Sequence, residues 1–390
     1  RKAIGFEYVL QNLEVLSSYG KEKVKNLKPY KNEELNDLRE EFENIEKYIS
    51  FRNKERRLFE KLERNLSRTK NIKNTITHIK NLTTLDDVEF FEIKIFSLIN
   101  QKLCKIISKI GINIQKLHLE TLERVIDVLD PEKKRLPTFH ISSIYSETLE
   151  DIREKKEQIE ARIIKEENPQ LKKKFIKERS EIVNLEEMEE QEIRRKLTKN
   201  LSEYADLISK NIDRMGYLDL LNAKSKLALK FNGIKPEINS RLEIELQEFF
   251  NPYVKEILAK SDKDFIPISL KIGKGITVIT GANMGGKSVT LQTIALNVLL
   301  CLMGFFVFAK KAKIPLLQYI YLISEDLQSV SSGLSSFGAE ILYFNNALNH
   351  VKKEKGIFLF DEFARGTNPQ EAYNLNKAIL TYLKRFDCIT

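Results

Sequence analysis

Gly281-Ala282-Asn283-Met284-Gly285-Gly286-Lys287-Ser288 has the spacing GxxxxGK[ST]. The chemistry it suits is the cradling of phosphates. Glycines let backbone N–H groups turn inward on the β- and γ-phosphates, Lys287 neutralises their charge, and the Ser288 hydroxyl can ligate Mg²⁺. Val289 follows directly and opens the helical pattern Val289 to Leu300, whose positive end would face the phosphates. A second run, Phe358-Leu359-Phe360-Asp361-Glu362, is an apolar strand ending in two carboxylates. Asp361 would hold Mg²⁺ through water, and Glu362 would polarise an attacking water, the division of labour a hydrolysing nucleoside triphosphatase needs. Alone, a strand followed by Asp-Glu usually marks only a strand end; with the Gly-rich loop upstream it completes a site.

These residues require a strand before the loop, a helix after it and a further strand before the carboxylates. Gly275 to Thr280, Tyr319 to Ile323 and Gly356 to Phe360 are short β-branched and aromatic runs separated by helical patterns, the alternation of an α/β sheet domain. The text before Pro236 is different. Leu35, Leu38, Phe42, Ile45, Tyr48 and Ile49 recur at three- and four-residue steps, an apolar stripe on a polar rod. Tyr145 to Lys199 has no Gly, a single Pro at Pro169 and dense Glu, Lys and Arg, which predicts a solvated helical hairpin or coiled-coil arm turning at Asn168-Pro169. A chain of 390 residues exceeds what one core usually serves, so at least two domains are expected.

Cys104, Cys301 and Cys388 are far apart without a CxxC pair and His78, His118, His140 and His350 are scattered, which suggests neither a disulfide framework nor a zinc site and fits a reducing, cytoplasmic setting. The most apolar run, Ala295 to Ala309, is too short to span a membrane and reads as a buried helix and strand. The chain starts at Arg1 and stops in an incipient strand at Phe386 to Thr390, as expected of a fragment. Of the net charge of +9, most sits between Phe51 and Lys80, where ten basic residues face three acidic ones. Arg52, Lys54, Arg56, Arg57, Lys61, Arg64 and Arg68 read either as a phosphate-contacting DNA face or as a solvated helix surface. Glu150 to Lys199 is neutral, with fourteen residues of each sign.

Thr280 to Ser288, TGANMGGKS, resembles the nucleotide-binding loop of the MutS family, which reads TGPNMGGKS, with Ala282 in place of Pro. In the same order, Ser332 to Phe337 is similar to the family's signature segment, Asp361 to Thr367 to its DE-x-x-x-GT block, and Asn200 to Ile238 to the helix returning from lever to ATPase domain. The resemblance implies an α plus α/β fold: a helical core/lever at 1–144, a coiled-coil arm (a reduced clamp) at 145–199, a returning lever helix at 200–238, and a P-loop ABC-type ATPase domain at 239–390, truncated at its carboxy end. It implies ATP and Mg²⁺ as cofactors and a homodimer in which Gly333, Ser335 and Ser336 of one subunit reach the γ-phosphate held by the other. Asn283 would touch phosphate or the attacking water, and Phe265 or Ile266 would pack on adenine, unless Phe265 is simply a core aromatic. Nothing in the chain resembles the family's mismatch-recognition domain, and the arm lacks a clamp's β-rich tip. Two functions are therefore expected: an ATP-driven clamp on duplex or mismatched DNA, with no membrane partner, or an ATP-driven protein-remodelling factor such as a reactivase of a cobalamin-dependent aminomutase.

Overall fold

The computed structural model describes residues 3–282, 285–323, 336–364 and 368–390. They divide into two compact units. One gathers 1–15, 26–53 and 221–390, and the other gathers 16–25 and 54–220. The helix Ala205–Lys230 changes unit between Leu220 and Leu221.

The second unit is helical. Its central helix, Asp87–Ile110, begins with a reciprocal cap between Asp86 and Glu89 and ends at Gly111 in the left-handed conformation, start and stop chemistry that frees no backbone group to compete. Asp219 is buried and accepts from Ser17 N and Ser17 Oγ, both at 2.6 Å, and from Leu16 N at 3.1 Å. Burial raises its pKa against the pull of those donors. Lys94 and Asp130 form a second buried contact, at 3.1 Å. The stretch Tyr145 to Lys199 forms two helices, Glu147–Lys165 and Pro169–Ser202, with Asn168 capping the second and Pro169 in its first turn. They pack antiparallel, Arg153 meeting Glu186 and Glu190 while Arg179 meets Glu160 at 2.7 Å.

The first unit carries two sheets. Strands β1 (Glu237–Asn239), β2 (Glu243–Phe249), β3 (Ile268–Gly273) and β4 (Lys311–Pro315) form one in the order β1-β4-β2-β3. Sequence analysis did not anticipate these four strands, whose signal is alternation within charged text. Ile244, Leu246 and Phe249 are buried, while Glu245 faces Lys311 at 3.1 Å and Glu243 faces Lys271 at 3.1 Å. The other sheet is parallel, in the order β5 (Tyr319–Ile323), β6 (Gly356–Phe360), β7 (Cys388–Ile389). Phe358 packs with Phe344 and Val351 of the helix Ser336–Val351 and with Ile379 and Leu383 of the helix Pro369–Leu383.

The strand expected at Gly275 to Thr280 is not formed over that length. Gly275 N donates to Cys388 O and Thr277 N to Thr390 O, a parallel pairing that makes this segment β7's neighbour. Beyond Thr277 no ladder continues among the described residues, so 278–280 is irregular. Ala295 to Ala309 is a buried helix end, but the strand expected there is a lone bridge from Val307 to Ile234, the regular strand starting later, at Lys311. No helix among the described residues is long and apolar enough to cross a membrane.

The helix Lys287–Leu302 is buried on nearly every side, which fixes where its first turn lies. Its last turn is fixed by partners. Tyr30 N donates to Leu302 O at 2.8 Å, and Lys224 Nζ reaches Met303 O at 3.4 Å while pairing with Glu41 at 2.6 Å and lying 4.7 Å from the Phe305 ring centre. The Lys224 and Glu41 side chains are only 2% and 3% exposed. Breaking such a pair strands a buried charge, so Lys224→Met or Glu41→Leu alone is expected to cost about 3 to 5 kcal/mol. Urea unfolding of the two single variants and of the double variant checks this, with the double losing less than the sum.

Candidate functional site

Two turns converge at the carboxy end of the parallel sheet. The first is the loop before the helix Lys287–Leu302. A Cβ on Gly285 would stand 2.9 Å from Ala282 O, and Gly286 has φ +84, so both positions call for glycine. Gly285 N donates to Ala282 O at 3.1 Å and closes the turn. Lys287 Nζ donates to the Gly281 and Ala282 carbonyls at 2.9 and 3.0 Å, which holds the ammonium over the loop at the helix's positive end. Asn283 and Met284 lie outside the described residues. Val289 is half-buried just behind Ser288.

The second turn follows β6. Asp361 N donates to Ile323 O at 2.8 Å, extending the β5–β6 ladder by one rung and fixing the carboxylate at the strand end. Glu362 follows at φ +53 and Ala364 at φ +66, left-handed positions that are costly for residues with a Cβ. Neighbours hold this turn. Glu340, buried in the helix Ser336–Val351, accepts from Ala364 N at 2.8 Å, and Asn376 Nδ2 donates to Phe363 O at 3.1 Å and to Ala372 O at 2.9 Å. Sequence analysis passed over both residues. Glu340 could have been found as the lone acid in the otherwise uncharged run Phe337 to Asn346; Asn376 left no comparable signal.

The two turns meet where Ser288 Oγ donates to Asp361 Oδ1 at 3.0 Å, across 73 residues of chain. Lys287, Asp361 and Glu362 line one cavity of about 190 Å³ together with apolar Ile276, Ile294, Phe358 and Ile379. Thus Lys287, Ser288, Asp361 and Glu362 are brought together. Phe265 and Ile266 precede β3 in an irregular stretch; Ile266 is 80% exposed and neither residue lines that cavity. Gly333 and Ser335 lie outside the described residues, as do 365–367, while Ser336 opens the helix Ser336–Val351.

The basic residues are distributed over both units. Arg52, in the first unit, is half-buried and donates to Asn222 Oδ1 at 2.9 Å. Lys54, Arg56, Arg57, Lys61, Arg64 and Arg68, in the second unit, are exposed; all but Lys54 lie on or cap the helix Arg56–Ser67, whose other face buries Phe59, Leu62 and Leu66. Arg56 meets Glu60 at 3.5 Å.

Residues 277–390 match the family model of MutS domain V, the family's ATPase domain. The chain is 34% identical over 226 residues to an endonuclease MutS2 of Geobacillus sp. (strain WCH70), covering 57% of this chain and 27% of that protein. It is 31% identical over 196 residues to the DNA mismatch repair protein MutS of Persephonella marina, covering 50% of this chain and 22% of that protein. Against the DNA mismatch repair protein MutS of Thermodesulfovibrio yellowstonii, identity is 29% over 282 residues, or 70% of this chain and 31% of that protein. The chain thus spans between a fifth and a third of the length of these relatives. Residues 277–390 thus match a MutS domain V, and over half or more of its length the chain is similar to MutS2 and MutS proteins.

Proposed function

We propose that this chain binds ATP with Mg²⁺ and hydrolyses it as the ATPase part of a DNA-binding protein of the mismatch-repair or recombination class. The observation that carries the proposal is the 3.0 Å contact between Ser288 Oγ and Asp361 Oδ1 at the first turn of the helix bearing Lys287. An octahedral Mg²⁺ holds its ligands at about 2.0 to 2.1 Å, so two adjacent ligand oxygens lie about 3 Å apart, the spacing these two oxygens already have. Ser288 and Asp361 would hold the cation. Bound there, Mg²⁺ would neutralise charge developing on the β- and γ-phosphates. The chain's own groups do the rest. Backbone N–H groups of Gly286 and Lys287 face the phosphates, the Lys287 ammonium leaves its loop carbonyls for them, and Glu362 accepts a proton from the attacking water.

The rest of the machinery is proposed by family resemblance. Asn283 contacts phosphate, Gly333, Ser335 and Ser336 complete the site of a second copy in a homodimer, and ATP-dependent closure acts on duplex DNA through the helical unit and its hairpin arm. Exposed Lys54, Arg56, Arg57, Lys61, Arg64 and Arg68 supply sequence-independent contacts to the DNA backbone. A second function is favoured by the hairpin itself. Its Arg153, Lys156 and Arg179 are engaged by Glu186, Glu190 and Glu160, and with fourteen residues of each sign over 150–199 the arm is neutral, better suited to gripping a protein, as in an aminomutase reactivase.

Lys287→Ala is expected to weaken ATP binding at least about 100-fold, measured with a fluorescent ATP analogue, because the charge on the bound phosphates loses its nearest cation. Glu362→Gln is expected to keep that affinity and lower the hydrolysis rate about 10² to 10⁴-fold in single-turnover assays. Steady hydrolysis surviving in Glu362→Gln would remove the residue from this role. For DNA, the logarithm of affinity for a short duplex should fall linearly with the logarithm of salt concentration. Replacing Arg57, Lys61 and Arg64 by Ala should make that slope shallower by about 2 to 3, near 0.9 for each DNA phosphate no longer neutralised. Duplex binding indifferent to salt and to these substitutions would leave the protein-remodelling function standing.

A further inference from the structure

The end of β6 away from Asp361 opens on a second, larger cavity, of about 620 Å³. Lys353, Glu354 and Lys355 lead directly into β6, so a five-residue strand, about 17 Å at 3.3 Å per residue, separates this cavity from the Ser288–Asp361 contact. It shares no lining residue with the cavity beside Lys287.

Four cationic side chains line it, Arg39, Arg241, Lys353 and Lys355, against two carboxylates, Glu33 and Glu354. Glu354 is already engaged by His350 Nδ1 at 3.2 Å. Elsewhere on this unit, surface lysines sit against acids, as Lys235 does with Glu46 at 2.8 Å and Lys313 with Glu237 at 3.0 Å. Among the described residues, none of the four cations lining the cavity forms an ion pair. A separate observation concerns Gln318. Gln318 lines the same cavity and its backbone N–H donates to Lys355 O at 2.8 Å, whereas its side-chain Nε2 is buried without an acceptor among the described residues. A buried amide donor without an acceptor is rare in a folded chain and calls for an explanation, a bound water or ion among them. Unpaired guanidinium forks lining the same cavity suit the tetrahedral oxygens of a phosphate, which Arg engages bidentately.

We propose that this cavity is a phosphate-binding site, distinct from the ATP site, in which Arg39 and Arg241 grip the anion, Gln318 donates to it, and Lys353 and Lys355 add positive potential. The phosphate can come from a free polyphosphate or nucleotide, or from a nucleic-acid backbone. Because its residues and the strand carrying Asp361 are continuous, an occupied cavity sits at the other end of the element that positions the carboxylates.

The test is calorimetric titration of the whole chain carrying Lys287→Ala, which disables the loop before the first cavity, with sodium tripolyphosphate and, separately, with a short duplex DNA. Tripolyphosphate is expected to bind. Adding Arg39→Ala and Arg241→Ala should weaken it at least about tenfold, as the removal of two charge-assisted hydrogen bonds requires, and Gln318→Leu should weaken it about threefold, the effect of removing one neutral hydrogen bond. Arg39 and Arg241 are exposed, so these variants retain their fold, which thermal melting verifies. If duplex DNA displaces tripolyphosphate and is weakened by the same substitutions, the phosphate belongs to a nucleic acid; if duplex DNA does not, it belongs to a free polyphosphate. Absence of tripolyphosphate binding in the Lys287→Ala chain, or binding indifferent to Arg39 and Arg241, overturns the proposal. Neither outcome bears on ATP binding by the chain with Lys287 intact, which is measured separately.

Discussion

The site depends on one helix being held at both ends. Lys287–Leu302 is buried almost all round, so it cannot slide or rotate without exposing apolar surface. Its first turn meets β6 through Ser288 and Asp361, and its last is tied by Tyr30 N, the Met303 carbonyl and the buried Lys224–Glu41 pair. A cation near the last carbonyls also matches the negative end of the helix dipole, the end opposite to the one that faces the loop. Glu41 lies in the helix Leu35–Lys54 and Lys224 in Ala205–Lys230, so early and middle segments of the chain fix an element whose chemistry lies at its far end.

That arrangement explains what the sequence made legible. The convergence of Lys287, Ser288, Asp361 and Glu362 was readable because their residue types stand at short fixed spacings, and the apolar runs around them have lengths that only strands and buried helices satisfy. The helices of the hairpin were readable for a similar reason, since Asn168-Pro169 is a local start signal that needs no tertiary partner. The sheet β1-β4-β2-β3 was not readable. Its strands alternate Ile, Leu and Phe with Glu and Lys, and their exposed faces are stabilised by cross-strand pairs between residues such as Glu245 and Lys311, far apart in the chain. Charge that is locally uninformative becomes a sheet only once the register is known. Gly275 to Thr280 has the composition of a strand, and its pairing with β7, Gly275 with Cys388 and Thr277 with Thr390, runs to the last residue of the sequence.

The same distinction applies to the charges. Glu340 sits among apolar residues and is explained by one backbone N–H, that of Ala364. Asp219 is explained by the N–H groups of Leu16 and Ser17 and the Ser17 hydroxyl. In both, a buried carboxylate serves irregular backbone that has no ladder of its own, and the desolvation it suffers is offset by donors that would otherwise be buried unsatisfied. Neither carboxylate is placed to do chemistry on a ligand, although an isolated acid in an apolar stretch invites that interpretation from sequence alone.

The turn after β6 shows why such supports matter for catalysis. In the proposed role, Glu362 must hold its carboxylate beside the γ-phosphate while Asp361, the preceding residue, faces the metal. In a continuing strand, adjacent side chains point to opposite faces, so two consecutive carboxylates cannot both address one ligand. The left-handed backbone at Glu362 breaks that alternation immediately after the last ladder rung at Asp361, and a second left-handed residue, Ala364, completes the reversal. Such conformations cost of order 1 to 3 kcal/mol each and persist only where surrounding contacts over-determine them. Here those contacts are Glu340 on the Ala364 N–H and Asn376 on the Phe363 carbonyl, two side chains from two different helices. The paired carboxylates are therefore a property of the packed helices as much as of the strand that carries them.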